Sequence, residues 1–391
     1  MNDARPTFYE FFAGGGMARV GLGAGWRCLM ANDIDPVKCA AYADNFGADH
    51  LARGDVAALA AADLPDRADL AWASFPCQDL SLAGERAGMG GGGDAATRSG
   101  TFWPFWRLIE TLRREGRAPP LVVLENVTGI LTANGGGDFC AIVGAFARSG
   151  YRVGAVAIDA ACFVPQSRPR VFFLAADAGA PIPAGFEGAG TRDDERPPAL
   201  IAAHDRLSPT LKESWTWWRL ARPAARSSRL IEVIEDDPAD VRWRTDEETA
   251  TLLGLMAPLH ADRVEAARRL GVKTVGGVYR RTRPGPGGVR RQRAEVRFDG
   301  VAGCLRTPGG GSSRQTILVI ENGAVRSRLL SAREAARLMG LPDSYRLPAG
   351  YTRACHVLGD GVCPPVVRHL ARHLLEPLVA ATRSARVLAA E

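Results

Sequence analysis

Leu121-Val122-Val123-Leu124 has no polar face, and that constrains the fold more than any other stretch of the chain. Four consecutive aliphatic residues followed at once by Glu125-Asn126-Val127 make a strand buried on both sides, the pattern of a parallel sheet with helices on each face. The preceding segments share this rhythm. Pro6 to Phe12 reads as a strand, Ala13-Gly14-Gly15-Gly16 as a tight turn, and the residues carrying Met17, Val20 and Leu22 as a helix. Arg27 to Ala31 is a second strand ending in Asn32-Asp33, and Leu51 to Val56 holds another acid in Gly54-Asp55. Leu70-Ala71-Trp72-Ala73, Tyr151 to Asp159 and Val171 to Ala175 add further strands, so the chain is expected to be α/β.

Beyond about Gly179 the βα rhythm stops, and it returns only with a strand at Thr316 to Ile320 and a helix capped by Ser331 and Glu334. At 391 residues two domains are expected. One covers residues 1–178 and is completed by 352–391; a smaller, irregular one covers 179–351. The net charge of +6 is concentrated. Between Ala261 and Gly300 there are eleven Lys or Arg against four Asp or Glu, so the basic character is one patch, suited to a polyanion. Within it, Arg280 and Arg281 precede a Pro-Gly stretch that is expected to form loops along a phosphate backbone. The Trp215, Trp217 and Trp218 cluster reads as packing. No apolar run reaches membrane-spanning length and no signal-peptide pattern opens the chain, so the expectation is a cytoplasmic protein without a membrane partner. None of the eight cysteines forms a CxxC pair, which gives no indication of a metal site or a disulfide framework.

Chemistry-bearing residues fall at the strand ends. Cys77, in Ser74-Phe75-Pro76-Cys77-Gln78-Asp79-Leu80-Ser81, follows a strand and is pinned by Pro76, which makes it a candidate nucleophile at a sheet edge. Glu125 ends a strand on the same edge, and because burial disfavours the charged form of such a carboxyl, it is a candidate acid. Asp33 stands about 20 residues beyond the glycine turn, where an acid would hold a ribose diol. Asp55 is placed to accept from an adenine amine. Pro165-Gln166-Ser167-Arg168-Pro169-Arg170 is a stiff loop offering forked donors to anionic or carbonyl oxygens.

Taken in order, these elements resemble the bacterial-type DNA (cytosine-5)-methyltransferase family. Its FxGxG is Phe12-Ala13-Gly14-Gly15-Gly16, its PCQ is Pro76-Cys77-Gln78, its ENV is Glu125-Asn126-Val127 and its QxRxR is Gln166 to Arg170. Two C-terminal elements also match, Arg333 to Gly340 followed by Pro342-Asp343-Ser344-Tyr345, and Gly359 to Val362. The resemblance implies a Rossmann-like, S-adenosyl-L-methionine-dependent core with a target-recognition domain in the middle of the chain. It implies Cys77, Glu125 and Arg168 as catalytic residues, and Phe12, Gly14, Gly16, Asp33, Asp55, Pro76 and Phe102 as cofactor-binding residues. Gln78, Ser81, Arg170, Arg280, Arg281 and Arg306 are expected on nucleic acid, with Gly88 to Asp94 as a closing hinge.

The implied reaction flips cytosine out of duplex DNA, attacks C6 with Cys77 and methylates C5, with no metal. A restriction-modification or other defence partner and a monomeric state are expected. The same core acting on tRNA, or kept as a silent DNA-binding scaffold, is the alternative. Two positions depart from the family pattern: Asp360 replaces the usual Asn, and Cys304-Leu305 stands where a Thr-Leu pair anchors a phosphate. Either Arg306 or Thr307 then supplies that donor, or the pair aligns a residue or two away.

Overall fold

The computed structural model describes residues 4–75, 101–191, 193, 195–284, 290–308 and 314–390. They gather into two compact units, the first made of Met1–Asp159, Pro169–Pro223 and Val362–Glu391, the second of Ala160–Arg168 and Ala224–Gly361. The chain therefore leaves the first unit twice.

In the first unit, β1 (Thr7–Phe11), α1 (Met17–Leu22), β2 (Arg27–Asp33), α2 (Pro36–Phe46), β3 (Leu51–Arg53), β4 (Leu70–Ala73), α3 (Phe102–Arg114), β5 (Leu121–Val127), α4 (Gly137–Arg148), β6 (Tyr151–Asp159) and β7 (Pro169–Asp177) follow in order. The strands form one sheet ordered β3-β2-β1-β4-β5-β7-β6. All neighbours from β3 to β5 are parallel, and β7 runs antiparallel to both β5 and β6. Leu121, Val122, Val123 and Leu124 are all buried, as a strand covered on both faces requires. Val122 and Leu124 meet a core that includes Phe105, Ile109, Phe139 and Ile142. α3 supplies its share through Phe102, Phe105, Trp106, Ile109 and Leu112, whose spacing makes one helical stripe. α2 starts cleanly because the Asp35 side chain accepts from the N–H groups of Val37 and Lys38 beside Pro36.

The free edge of β6 is covered by the tryptophan segment. Val153 exchanges backbone hydrogen bonds with Ser214 and Thr216, at 2.9 and 2.8 Å, and the Trp218 indole donates to the Leu174 carbonyl at 2.7 Å. These tryptophans are therefore packing. Pro364–Leu370 and Glu376–Ala390 are C-terminal helices of this unit, and Arg383 ties the last to the first strand by pairing with Asp69, whose carboxylate also accepts from the N–H of Thr7. Among the described residues no helix is long and apolar enough to cross a membrane.

The second unit holds β8 (Thr274–Pro284), β9 (Arg290–Arg297), β10 (Thr316–Glu321) and β11 (Ala324–Leu329), an antiparallel sheet ordered β11-β10-β8-β9. Helices Asp246–Gly254 and Pro258–Arg269 close its core around Leu252, Val264, Val278, Ala294, Val296, Leu318 and Ile320. The basic stretch expected as loops is thus mostly a pair of strands. The period of two is masked because β8 and β9 continue beyond the core, where arginines occupy both faces. Nearby, Arg328 and Glu334 form a bidentate pair at 2.6 and 2.7 Å, with both side chains fully buried.

Candidate active site and nucleic-acid surface

The glycine turn after β1 bends sharply, with φ of 55° at Phe12, 56° at Gly14 and 76° at Gly16. Phe12 is a residue type rarely found at positive φ, so the surrounding turn must hold it there. A Cβ on Gly14 would meet nothing within 4 Å, leaving an open face over the backbone, whereas one on Gly16 would strike the rings of Phe46 and Tyr42. Gly14 is thus the glycine that leaves room for a ligand, and Gly16 is required for packing.

Asp33, at the end of β2, organises the turn. One carboxylate oxygen accepts from the N–H of Gly14 and the other from the N–H of Asp35, both at 2.8 Å. Burial pushes its carboxyl above the ordinary range, against the pull of those N–H groups and Lys38. Each oxygen retains a lone pair for a ligand hydroxyl. Asp55 is exposed just beyond β3, with one oxygen accepting from Ala57 N–H at 2.9 Å. The ends of β1, β2 and β3 therefore offer an open glycine face and two carboxylates along adjacent strands, a donor-and-acceptor set that fits an adenosyl ribose and base. Ile34, 64% exposed between Asp33 and Asp35, adds an apolar surface there that sequence reasoning missed. Its only signal was an isolated aliphatic residue between two acids. Phe102 is fully buried, packed on Phe75 and stacked against Trp106 with centroids 5.6 and 5.9 Å apart, so it forms a wall of the core.

On the other side of β1, Glu10 is buried, with one oxygen accepting from Arg19 N–H at 3.3 Å and the other without a partner among the described residues. Burial pushes its carboxyl up to about 8, opposed by the Arg19 guanidinium.

β4 and β5 are parallel neighbours, with Ala73 opposite Leu124. Asn126, 2% exposed, donates to the Phe75 carbonyl at 3.5 Å and so ties the end of β4 to β5. Pro76, Cys77, Gln78, Ser81 and the Gly88 to Asp94 segment lie outside the described residues. Beside Asn126 stands Glu125, 5% exposed, and the Nε of Arg170 on β7 lies 3.0 Å from its Oε1. The pair arises from register: β7 runs antiparallel to β5 with Arg170 opposite Val127, which brings its long side chain back to Glu125.

Arg168 is placed differently. It belongs to the second unit, is 2% exposed, and its guanidinium donates to the carbonyls of Leu305, Gly359 and Gly361. The structure brings Glu125 together with Arg170, which stands on β7, whereas Arg168 precedes that strand and is held within the second unit.

In the second unit the β8–β9 register sets Arg281 opposite Arg293 and Arg283 opposite Arg291. Like charges directly across a strand pair destabilise it, and among the described residues Glu295 offsets them, 2.7 Å from Arg283 and 3.5 Å from Arg281. Arg280 faces Ala294, and Thr282 faces Gln292. The ribbon carries seven arginines, at 280, 281, 283, 290, 291, 293 and 297, a concentration of positive charge that would complement a polyanion. Arg306, also exposed, makes no hydrogen bond or ion pair among the described residues.

The sheet order with its antiparallel β7 is that of an α/β methyltransferase that uses S-adenosyl-L-methionine. Residues 6–376 match the description of the C-5 cytosine-specific DNA methylases, and the chain belongs to that family. It is a DNA cytosine-5 methyltransferase. Type II methyltransferase M.NlaX of Neisseria lactamica is 24% identical over 95% of this chain and 96% of its own. M.BsuFI of Bacillus subtilis is 24% identical over 96% of this chain and 74% of its own. The Dnmt2 methyltransferase of S. pombe shares the fold, with a TM-score of 0.55 and 19% identity over 96% of this chain and 99% of that one.

Proposed function

We propose that the chain methylates cytosine at C5 within a short DNA sequence, taking the base out of the duplex to reach it. The observation that carries this reading is the Glu125–Arg170 pair at the end of β5, next to the strand end from which Pro76-Cys77-Gln78 follows in sequence. C5 of cytosine is a poor carbon nucleophile until something adds to C6. In the proposed reaction the Cys77 thiolate forms a bond to C6, and the ring electrons move to C5. Glu125 holds N3 and the exocyclic amine, so that negative charge does not accumulate on the ring. Arg170 fixes the Glu125 carboxylate beside the base, while Arg168, expected to contact the flipped nucleotide, donates through Nη1 and Nη2 to the carbonyls of Leu305, Gly359 and Gly361. C5 takes the methyl group, the C5 proton then passes to water, and its electron pair re-forms the C5–C6 double bond as the C6–S bond breaks to return the Cys77 thiolate.

S-adenosyl-L-methionine supplies a methyl group on a sulfonium sulfur, which leaves as a neutral thioether. Gly14, Asp33, Ile34 and Asp55 would hold it. The first unit is the catalytic one, and the second, through the β8–β9 ribbon with Arg280 and Arg281, is the target-recognition unit. The major groove admits a two-stranded ribbon, where Thr282 and Gln292 can meet base edges while the arginines meet phosphates. The names of the relatives support a restriction-modification setting in the cytoplasm, and one flipped base per site needs only a monomer.

The test is methyl transfer from labelled S-adenosyl-L-methionine to genomic DNA and to total tRNA in parallel, followed by bisulfite sequencing of the DNA. Label on DNA with protected cytosines in one short motif is expected. Label confined to tRNA would overturn the substrate assignment.

A further inference from the structure

Gln166 and Arg168 are among the most deeply buried polar side chains of the second unit, at 0% and 2% exposure, and both grip one short segment. The N–H of Leu305 donates to Gln166 Oε1 at 2.9 Å, while the Leu305 carbonyl accepts from Arg168 Nη1 at 2.9 Å. Each side chain also reaches a second anchor. Gln166 Nε2 donates to the Leu338 carbonyl at 2.8 Å, and Arg168 Nη2 donates to the carbonyls of Gly359 and Gly361 at 2.8 and 2.7 Å. Backbone bonds extend the grip, from Ser167 N–H to Ala302 and from Ala302 N–H to Pro165.

Helix Tyr351–Asp360 also presses Gly359 against the same segment, so closely that a Cβ there would lie 2.5 Å from Thr307 N and 2.6 Å from the Arg306 carbonyl carbon. A glycine is required by contact alone.

What this clamp presents is Arg306. Its neighbour Leu305 is buried, its own side chain is exposed, and among the described residues no acid answers its charge. It lines one pocket with Arg314, Gln315, Tyr351 and Cys355. Arg314 is oriented there by a 3.2 Å hydrogen bond to Thr352 and by the Tyr351 ring, 5.5 Å from its guanidinium carbon. Two guanidinium groups at one pocket, one of them on an immobilised backbone, form a forked donor set for a phosphate. Immobilisation matters because a donor fixed before binding loses little freedom on contact.

We propose that Gln166, Arg168 and Gly359 are positioning residues that hold Leu305 and Arg306 so that Arg306, with Arg314, takes a phosphate of the nucleic-acid backbone. This rests on the reading of DNA as the substrate. The experiment is a double-mutant cycle on the full chain, reading affinity for a labelled duplex by fluorescence anisotropy and S-adenosyl-L-methionine binding by calorimetry. Arg306→Ala is expected to weaken duplex binding about tenfold, the loss of one charged phosphate contact. In an Arg168→Lys background, where one ammonium replaces a fork serving three carbonyls, Arg306→Ala should add less than about twofold, because the contact is already displaced. Arg168→Lys should raise the KM for DNA more than it lowers kcat and leave cofactor binding unchanged.

If Arg168→Lys does not fold, Gly359→Ala displaces the same segment by steric contact and enters the same cycle. Full additivity of the two losses, or an Arg306→Ala variant that binds DNA normally, would overturn the proposal. So would a fall in kcat at constant KM for Arg168→Lys, which would place that guanidinium on the base. Wild-type protein that binds and methylates no DNA would instead defeat the substrate reading itself, before the variants are compared.

Discussion

The end of β5 and the β8–β9 ribbon use arginine in opposite ways. At β5, Arg170 is largely buried and matched to a single acid, Glu125, across a fixed register. In the ribbon, Arg281 faces Arg293 and Arg283 faces Arg291, all but Arg293 exposed, with Glu295 answering two of them. The first arrangement fixes one position and tolerates no substitution of shape. The second accumulates charge, the arrangement proposed to meet a duplex. Chemistry at one carbon demands placement, whereas holding a duplex demands net charge with a few directed contacts.

That contrast yields tests in descending size. Cys77→Ser should reduce methyl transfer by about 10⁴-fold or more in single-turnover assays while duplex and cofactor affinities stay within a few-fold. Turnover near that of the wild type would remove the covalent step. Glu125→Gln should lower kcat by about 10²- to 10³-fold, and the Glu125→Gln, Arg170→Lys double variant should lose far less than the product of the single losses. Independent losses would mean that the pair does not act as a unit.

The buried side of the same sheet gives a test in pH. Glu10 is pushed up to about 8 in the folded chain, so the folded state keeps it neutral over a range in which the unfolded chain would ionise it. The stabilisation is present below the ordinary carboxylate range and is lost as pH rises through about 8. Thermal unfolding followed from pH 5 to 9 should show a falling Tm, and Glu10→Gln should flatten that fall. The groups facing Glu10 are Arg19, Tyr42, Cys28 and Asp33, so an equal slope in the variant would pass the effect to them.

The smallest effect belongs to the ribbon. Arg280→Gln with Arg281→Gln should weaken duplex binding and reduce the slope of log affinity against log salt by about 2, one per lost phosphate contact. An unchanged slope would place the duplex elsewhere on the chain.

The strand ends of the first unit were legible because buried aliphatic runs stop at polar residues, and those residues must then lie along one edge of the sheet. Glu125 and Asp33 were found this way. Legibility failed where the pattern was ambiguous or the path of the chain was hidden. Arginine on both faces of β8 and β9 concealed their alternation. In Gln166 to Arg170 the two arginines look equivalent in sequence, yet Arg170 lies on β7 and pairs with Glu125, while Arg168 lies before that strand and donates to carbonyl groups. Asn126 was in plain view but had no assigned task until its bond to Phe75 showed how β4 is held.

The double departure of the chain from its first unit has a consequence for swapping specificities between relatives. A transplant cut only at positions 224 and 361 would import a foreign second unit and leave the host's nine residues from Ala160 to Arg168 behind. Those nine residues carry both side chains that grip Leu305, so the graft would seat its own counterpart of that segment on an unmatched socket. A functional chimera has to exchange two separate pieces of the gene together, and such modules would be inherited as a linked pair.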